Sequence, residues 1–321
     1  MIVVTGAAGF IGSCMVGKLN SLNIDNIIIV DDFNKESKLK NWENKHFCDK
    51  IQREDFFKWA EINIQKINFI IHLGARTDTT ESDYSVFEDL NLSYSQRMWS
   101  FATKHGIPLL YASSAATYGD GKFGYSDSEE NIPKLVPLNA YGKSKNEFDK
   151  WVLKQKNQPP YWAGFKFFNV YGPNEYHKGR MASVIYHCFN QIHETGKMKL
   201  FRSHNQAYLD GEQLRDFIYV KDVVNVLYWF LQKPRKSSIY NLGTGYARHF
   251  LSLANATFKA LNIEPSIEFI DIPLDIRNQY QYYTQAEMKK LKSLGYRKSF
   301  HSLENGIDEY VTRYLKKNMI Y

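Results

Sequence analysis

Cysteine is scarce in this 321-residue chain, and its three copies, Cys14, Cys48 and Cys188, are scattered and odd in number. With no C-x-x-C pair, neither a zinc site nor a disulfide framework is indicated, and no metal centre is expected. A reducing cytoplasm is the simple setting. Long apolar runs are also missing, and none approaches the roughly 18 residues that a membrane span requires. The first strand-like run begins at Ile2, which leaves no room for a signal peptide. Internal repeats and low-complexity tracts are absent. The lysines do not cluster. A net charge of +7 therefore reads as a solvated surface with some basic residues serving an anionic ligand, not as a nucleic-acid footprint. With 44% hydrophobic and 23% charged residues, the chain has a globular make-up and the length for one large or two modest domains.

What is present begins at the N-terminus. Met1-Ile2-Val3-Val4-Thr5 is a short β-branched run. Gly6-Ala7-Ala8-Gly9-Phe10-Ile11-Gly12 follows at once, and a helical pattern continues to about Leu22. Strand, glycine turn and helix in that order form a dinucleotide-binding fingerprint. Gly6 serves the tight turn, Gly9 lets the backbone approach a pyrophosphate, and Gly12 lets helix and strand pack closely. The N–H groups at the helix start favour the phosphates. A second apolar run, Ile27-Ile28-Ile29-Val30, ends in Asp31-Asp32. Asp31 stands 19 residues after Gly12, close to the spacing of a ribose-binding acid.

The first half continues as alternating strands and helices. Asn68 to Leu73 reads as a strand, with Gly74-Ala75 as its turn. A helix is expected over about Tyr84 to His105, and a strand over Ile107 to Ala112 that ends at Ser113-Ser114. Another helix is expected over about Ala140 to Lys156, and a strand over about Trp162 to Phe168. The alternation predicts an α/β fold with a Rossmann-type doubly wound parallel sheet. Ligands on such sheets gather at the carboxyl ends of strands, where Gly6, Asp31, Gly74, Ser114 and Asn169 are expected. Beyond Asn169 the pattern is less regular. Residues 1–169 are therefore read as the dinucleotide-binding domain, and 170–321 mainly as a smaller mixed α/β substrate-binding domain. Part of 216–248 is expected to return to the first domain.

Tyr141 and Lys145 stand four apart and share one helix face. A free tyrosine, with a pKa of about 10, is a poor base at neutral pH. An ammonium roughly 5 Å away, at an effective dielectric near 20, favours the phenolate by on the order of 3 kcal/mol. At about 1.4 kcal/mol per pKa unit, this would bring the phenol down by two and make the pair a proton acceptor for an alcohol.

These segments, with Ser113-Ser114-Ala115-Ala116-Thr117-Tyr118-Gly119 between them, stand in an order and spacing that resembles the extended short-chain dehydrogenase/reductase superfamily. That group holds nucleotide-sugar epimerases and dehydratases. Asn169-Val170-Tyr171-Gly172-Pro173, Arg215-Asp216-Phe217-Ile218-Tyr219-Val220 and Asn241-Leu242-Gly243-Thr244-Gly245 extend the resemblance over essentially the whole chain. His177-Lys178-Gly179-Arg180-Met181-Ala182-Ser183-Val184 and Tyr283-Thr284-Gln285-Ala286 are similar to the branch acting on an ADP-heptose. The resemblance implies an isomerase of lipopolysaccharide core precursor synthesis. It would invert C6 of ADP-D-glycero-β-D-manno-heptose by transient oxidation and re-reduction with bound NADP. A cytoplasmic homo-oligomer, a homopentamer in that branch, is also implied, with neither nucleic acid nor membrane as partner.

Carried over by the resemblance, Ser114 would hydrogen-bond the reacting hydroxyl and Tyr141 would take or return its proton. Lys145 would hold the nicotinamide ribose and depress the phenol pKa. Lys178 would be the second acid/base, with His177 beside it as the alternative. Inversion returns hydride to the opposite carbonyl face, so a second proton donor completes the cycle. Asp31 suits the 2′-hydroxyl of NAD, whereas a basic residue nearby suits the 2′-phosphate of NADP. Lys38 and Arg53 stand where the family's phosphate-contacting lysines stand, so NADP is favoured and NAD stays open. Phe10, Ile11, Asp32, Leu73, Gly74, Ala75, Arg76, Thr77, Asn91 and Val170 would also line the cofactor, with Tyr141, Lys145 and Lys178.

Asn169, Arg180, His187, Phe201, Arg202, Ser203, His204, Arg215 and Tyr280 would face the sugar nucleotide together with Ser114. Arg215 offers a diphosphate a planar bidentate donor; a surface ion pair with Asp216 is the alternative. Arg180 replaces a small polar residue of the relatives, and Asn205 to Leu214 looks inserted. Ala115 and Ala116 cannot transfer protons, which argues against a dehydratase. A UDP-hexose 4-epimerase stays open, opposed mainly by the Lys178 segment. A non-catalytic NADP-sensing or RNA-binding scaffold would be expected to lack Ser114, Tyr141 or Lys145, and all three are present.

Overall fold

A computed structural model describes residues 1–79, 81, 83–277 and 280–321. Among them, twelve strands form three sheets. They are β1 (Ile2–Thr5), β2 (Ile27–Asp31), β3 (Asp49–Gln52), β4 (Phe69–His72), β5 (Leu109–Ser114), β6 (Trp162–Phe167), β7 (Asn169–Tyr171), β8 (Met198–Phe201), β9 (Leu214–Tyr219), β10 (Ser238–Leu242), β11 (Ala247–His249) and β12 (Ile267–Ile270). The main sheet runs β10-β6-β5-β4-β1-β2-β3, with every neighbouring pair parallel. β7 pairs parallel and β11 antiparallel with β9, and β8 pairs parallel with β12.

The apolar runs build this sheet because both of its faces are covered. Side chains alternate between faces with a period of two. Val4, Ile29, Ile71 and Leu110 enter one core with Met15, Leu19, Val223 and Leu227, from the Phe10–Asn20 and Val220–Gln232 helices. Val3, Ile28, Ile70 and Leu109 enter the other with Met98, Trp99, Phe148 and Val152, from the Tyr94–Lys104 and Ala140–Leu153 helices. Two-sided burial is why β1, β2 and β4 read as unbroken apolar runs and not as alternating ones. The doubly wound α/β fold expected from the sequence is the one observed. Among the described residues no helix is long and apolar enough to cross a membrane.

Three local expectations needed correction. The edge strand β3, Asp49-Lys50-Ile51-Gln52, carried no apolar run and was not foreseen, because its outer side meets solvent. β5 starts at Leu109, two residues later than expected, since Pro108 has no N–H for the ladder and contributes only its carbonyl, to Ile70 N. The helix expected over Tyr84 to His105 is interrupted by a π-helical segment, Glu88–Ser93. Asn91, buried in that segment, bonds both backbone groups of Arg76 and the Ser144 hydroxyl. Such insertions are typical of functional sites.

The chain passes from β1 outward to β3, then crosses to β4 on the other side of β1. That reversal opens a crevice at the carboxyl ends of β1 and β4. Its walls are backbone in close contact. Gly6 has a φ of +67°, and a Cβ there would lie 2.6 Å from Gly74 Cα; one on Gly12 would lie 2.0 Å from the Gly6 carbonyl oxygen. Gly12→Val is expected to destabilise the protein by about 1–3 kcal/mol through overpacking, read as a lower urea midpoint. An unchanged midpoint would show that the contact relaxes freely.

Candidate active site

The crevice widens into a cavity of about 420 Å³. Its walls include Gly6, Gly9, Phe10, Ile11, Gly12, Asp31, Lys38, Arg53, Leu73, Gly74, Ala75, Arg76, Thr77 and Lys178. Most residues expected to meet the cofactor are thus brought together. Asp31 Oδ2 accepts from Ala8 N at 2.9 Å, and its Oδ1 accepts from Asp32 N at 2.7 Å and Lys38 Nζ at 2.8 Å. The carboxylate therefore anchors the glycine turn while Lys38 balances its charge. Asp32 lies outside the cavity lining and caps its own turn through Asn34 N. Asn91, Tyr141, Lys145 and Val170 are also outside that lining; Val170 packs on the core and Asn91 is wholly engaged with Arg76 and Ser144. A larger cavity, about 520 Å³, lies between Phe217 and the 288–303 segment and contains none of the expected site residues.

Thr5 and His72 close the ends of β1 and β4. Thr5 Oγ1 lies 2.6 Å from His72 Nδ1, and His72 Nε2 lies 3.0 Å from Ser95 Oγ. Burial, with Lys145 adding to it, drives the His72 pKa down to about 3. His72 is therefore neutral, a structural strut.

Ser114 ends β5, and its Oγ accepts from Ala116 N at 3.1 Å. Tyr141 opens the Ala140–Leu153 helix, whose first turn is capped by Asn139 Oδ1 accepting from Gly142 N at 2.8 Å. The Ser114 side chain lies beside the Tyr141 phenol and favours its ionised form. The expected depression of the phenol pKa is nevertheless not found. Burial raises it, the Ser114 hydrogen bond only partly opposing, and Asp149 raises it further. Lys145, whose Nζ donates to Ala112 O at 2.9 Å, does not offset this burial. Burial brings Lys145 itself down to about 8, with Asp149 opposing.

Lys178 is half-buried in the Tyr176–Met181 turn, with its Nζ 5.6 Å from the centre of the Phe10 ring. Burial lowers its pKa and Glu175 opposes. The buried Glu175 carboxylate accepts from Gly172 N at 3.2 Å and from Ser183 Oγ at 2.7 Å, tying both ends of the turn. His177 is held at Nδ1, 3.2 Å from Asn41 Nδ2, and burial takes its pKa down to about 4. It is neutral, with Nδ1 engaged.

The residues expected to face a sugar nucleotide are less tightly gathered. Arg215 is buried and stacks over Phe250 at 5.7 Å and Tyr280 at 5.4 Å, with its guanidinium donating to Leu214 O and Gln281 O. The alternative pairing with Asp216 is not formed. Neighbours in a strand face opposite sides, and Asp216 accepts instead from Thr244 N, Thr244 Oγ1, Gly245 N and Ala286 N. Phe201 meets the Tyr280 ring edge-on at 6.0 Å. Asn169 and Arg180 are exposed, and His187 is half-buried on the Val184–Thr195 helix. Arg202, Ser203 and His204 contact the 205–212 segment and its surroundings. Asp210 lies 3.9 Å from the Arg202 guanidinium and accepts from Ser203 N, while the Tyr282 hydroxyl accepts from His204 N.

Sequence reading passed over Asp149 and Lys166, a fully buried ion pair at 2.7 Å beneath Ser114. The signals were available: a lysine inside the apolar run Trp162-Ala163-Gly164-Phe165-Lys166-Phe167, and an acid one helical turn beyond Lys145.

With strand-end glycines, a cofactor-sized crevice and a Ser-Tyr-Lys set shared between the end of β5 and the Ala140–Leu153 helix, the molecule has the anatomy of a nucleotide-dependent sugar-modifying enzyme. The chain belongs to the NAD dependent epimerase/dehydratase family, which residues 2–243 match. It is 48% identical over 331 aligned positions, covering all of both chains, to the ADP-L-glycero-D-manno-heptose-6-epimerase of Fusobacterium nucleatum. Against the protein of the same name from Nitratidesulfovibrio vulgaris, identity is 45% over 98% of each chain. The solved structure of Helicobacter pylori ADP-L-glycero-D-manno-heptose-6-epimerase superposes with a TM-score of 0.81 at 25% identity, covering 97% of this chain and 95% of that one. A UDP-N-acetylglucosamine 4-epimerase from Methanobrevibacter ruminantium reaches 0.83 at 21% identity over 98% of each, a likeness of fold alone.

The neutral His72 carries a pH dependence. Its folded pKa lies below the ordinary value of about 6.5, so between the two the unfolded chain binds more protons and stability falls as pH falls. His72→Asn is expected to lose less thermal stability than the parent on going from pH 7 to pH 5. Equal losses in a pair of melting curves would contradict this.

Proposed function

We propose that this chain inverts C6 of the heptose in ADP-D-glycero-β-D-manno-heptose, giving the L-glycero epimer, a step of lipopolysaccharide core precursor synthesis. Full-length identity of 45–48% to heptose 6-epimerases carries the substrate assignment. The chemistry rests on one arrangement: a Ser114–Tyr141–Lys145 set, and a second ionisable group, Lys178, in the wall of the cofactor cavity.

The crevice fits a nicotinamide dinucleotide, because the space a Cβ would fill at Gly6 and Gly12 lies against backbone. Gly6, Gly9 and Gly12 with the following helix start would hold the pyrophosphate, and Asp31 the adenosine ribose. When bound, that group supplies the hydride acceptor and donor. NADP is the finer reading. Asp31 is already balanced by Lys38, and Arg53 stands on the same wall, so a 2′-phosphate would meet positive charge and not a bare carboxylate. Residues 1–169 hold the cofactor on this reading, and most of 170–321 presents the sugar nucleotide, with Arg215 taking the diphosphate.

The protein's own contribution is proton transfer. Ser114 donates a hydrogen bond to the reacting oxygen, which polarises it. Burial keeps Tyr141 protonated and lowers the proton affinity of Lys178, with Glu175 opposing, so the two groups are shifted in opposite directions. Inversion moves the oxygen between half-reactions, and two groups on separate elements can serve its two positions. Ala115 and Ala116, which follow Ser114, offer no acid or base for expelling water.

Incubation with ADP-D-glycero-β-D-manno-heptose, followed by NMR, is expected to give the L-glycero epimer without net redox change. Turnover of a UDP-hexose and none of the heptose would overturn the assignment. Tyr141→Phe and Lys178→Met are each expected to slow epimerisation by about 100-fold or more. Rates within twofold of the parent for both would remove the acid/base roles. Arg53→Ala is expected to weaken NADP binding by about tenfold while leaving NAD binding nearly unchanged, as for loss of one phosphate contact. Equal losses for both cofactors would end the NADP reading.

A further inference from the structure

Lys166 and Asp149 are both wholly buried, with Nζ 2.7 Å from Oδ2. Their partners lead to the reacting groups along two routes. Lys166 Nζ also donates to Thr117 Oγ1 at 2.7 Å, and that hydroxyl donates to the Ser114 carbonyl at 2.8 Å. Asp149 Oδ2 accepts from Ser113 Oγ at 2.7 Å and its Oδ1 from Tyr111 OH at 3.2 Å. Lys145, one turn away on the same helix, donates to Ala112 O. Every residue from Tyr111 to Ser114 is therefore tied, by side chain or carbonyl, to the pair or to the helix that carries Tyr141. Tyr141, Lys145 and Asp149 are spaced four apart and line one helix face.

We infer that the Asp149–Lys166 pair is a positioning device for the reaction, setting the register of the Tyr141–Lys145 helix against Ser114. The inference rests on the catalytic reading of Ser114 and Tyr141. Stability does not account for the pair. A buried ion pair gains little over well-packed apolar residues of the same volume, because desolvation cancels the attraction, whereas breaking one partner leaves an uncompensated charge. What two charges with three neutral partners provide is direction: each bond is satisfied in one alignment of β5, β6 and the helix, and a slip in any of them breaks several. Neither charge touches the reacting atoms, so both act through Ser114 and the helix.

The test removes both charges at nearly constant volume. Asp149→Leu/Lys166→Met is expected to fold, to bind NADP and the ADP-heptose with constants within about threefold of the parent, and to lose 30-fold or more in kcat, since a displacement near 1 Å at a reacting group is worth roughly 100-fold. Lys166→Arg, which retains the positive charge and can still donate to both Asp149 and Thr117, is expected to keep most of the rate. A folded double variant with kcat within threefold of the parent overturns the inference, and so does a loss confined to thermal stability. Should the double variant not fold, Thr117→Val decides. It leaves the ion pair and cuts the link to the Ser114 carbonyl, so a lowered kcat restored by Thr117→Ser supports the inference, and an unchanged kcat overturns it. Tyr141→Phe is measured alongside. If that variant keeps its rate, the catalytic reading fails and takes this inference with it; if it is inactive while the double variant is active, only the positioning role fails.

Discussion

Backbone touching backbone at the mouth of the sheet is the constraint on which the rest depends. The turn after β1 lies so close to the loop after β4 that Gly6 and Gly74 meet without side chains between them, and the following helix crosses at Gly12 against the Gly6 carbonyl. Because the turn carries no bulk, its N–H groups can face a pyrophosphate directly. Asp31 at the end of β2 then pins the turn through Ala8 N, and the Thr5–His72–Ser95 chain pins the β4 side. The cavity is the space left over by these contacts.

Around it the protein buries an unusual set of ionisable groups. Lys145, Lys166, Asp149, Glu175, Asp216 and Arg215 are nearly all shielded from water, and each is met by hydrogen-bonding partners. In a medium of low dielectric, unpaired charges would be costly and paired ones are directional. The same burial sets proton affinities: it pushes Tyr141 up and Lys178 and Lys145 down. On the function proposed above, this desolvation fits ordinary side chains to move a proton on and off one carbinol, and the two alanines after Ser114 leave nothing there to expel water.

Much of this was legible along the chain, and the parts that were not share a cause. β1, β2, β4 and β6 were visible as apolar runs because both faces of a parallel sheet are covered. The glycine turn and the Tyr141–Lys145 pair were visible because their spacing is local. β3 was not, since an edge strand with solvent on one side has no apolar signature. The π-helical segment at Glu88–Ser93 was not, since it answers to Asn91 reaching Arg76 and Ser144, partners 15 and 53 residues away. Reading Tyr141 and Lys145 as an isolated pair predicted a depressed phenol. In the folded chain the ammonium belongs to Ala112 O and burial dominates.

The sequence by itself determined the strand–helix alternation of the first half apart from β3, the fold class, the dinucleotide crevice and the identity of the side chains at its rim, because all of these are written in periodicity and short spacing. Tertiary structure alone decided their condition. It decided that Asp31 is balanced by Lys38, that His177 is neutral and held by Asn41, that Arg215 stacks on Tyr280 and not on Asp216, and that Lys166 pairs with Asp149 beneath Ser114. The reason is physical. A residue's charge state and orientation depend on desolvation and on partners distant in the chain, and both exist only once the sheet has closed around them.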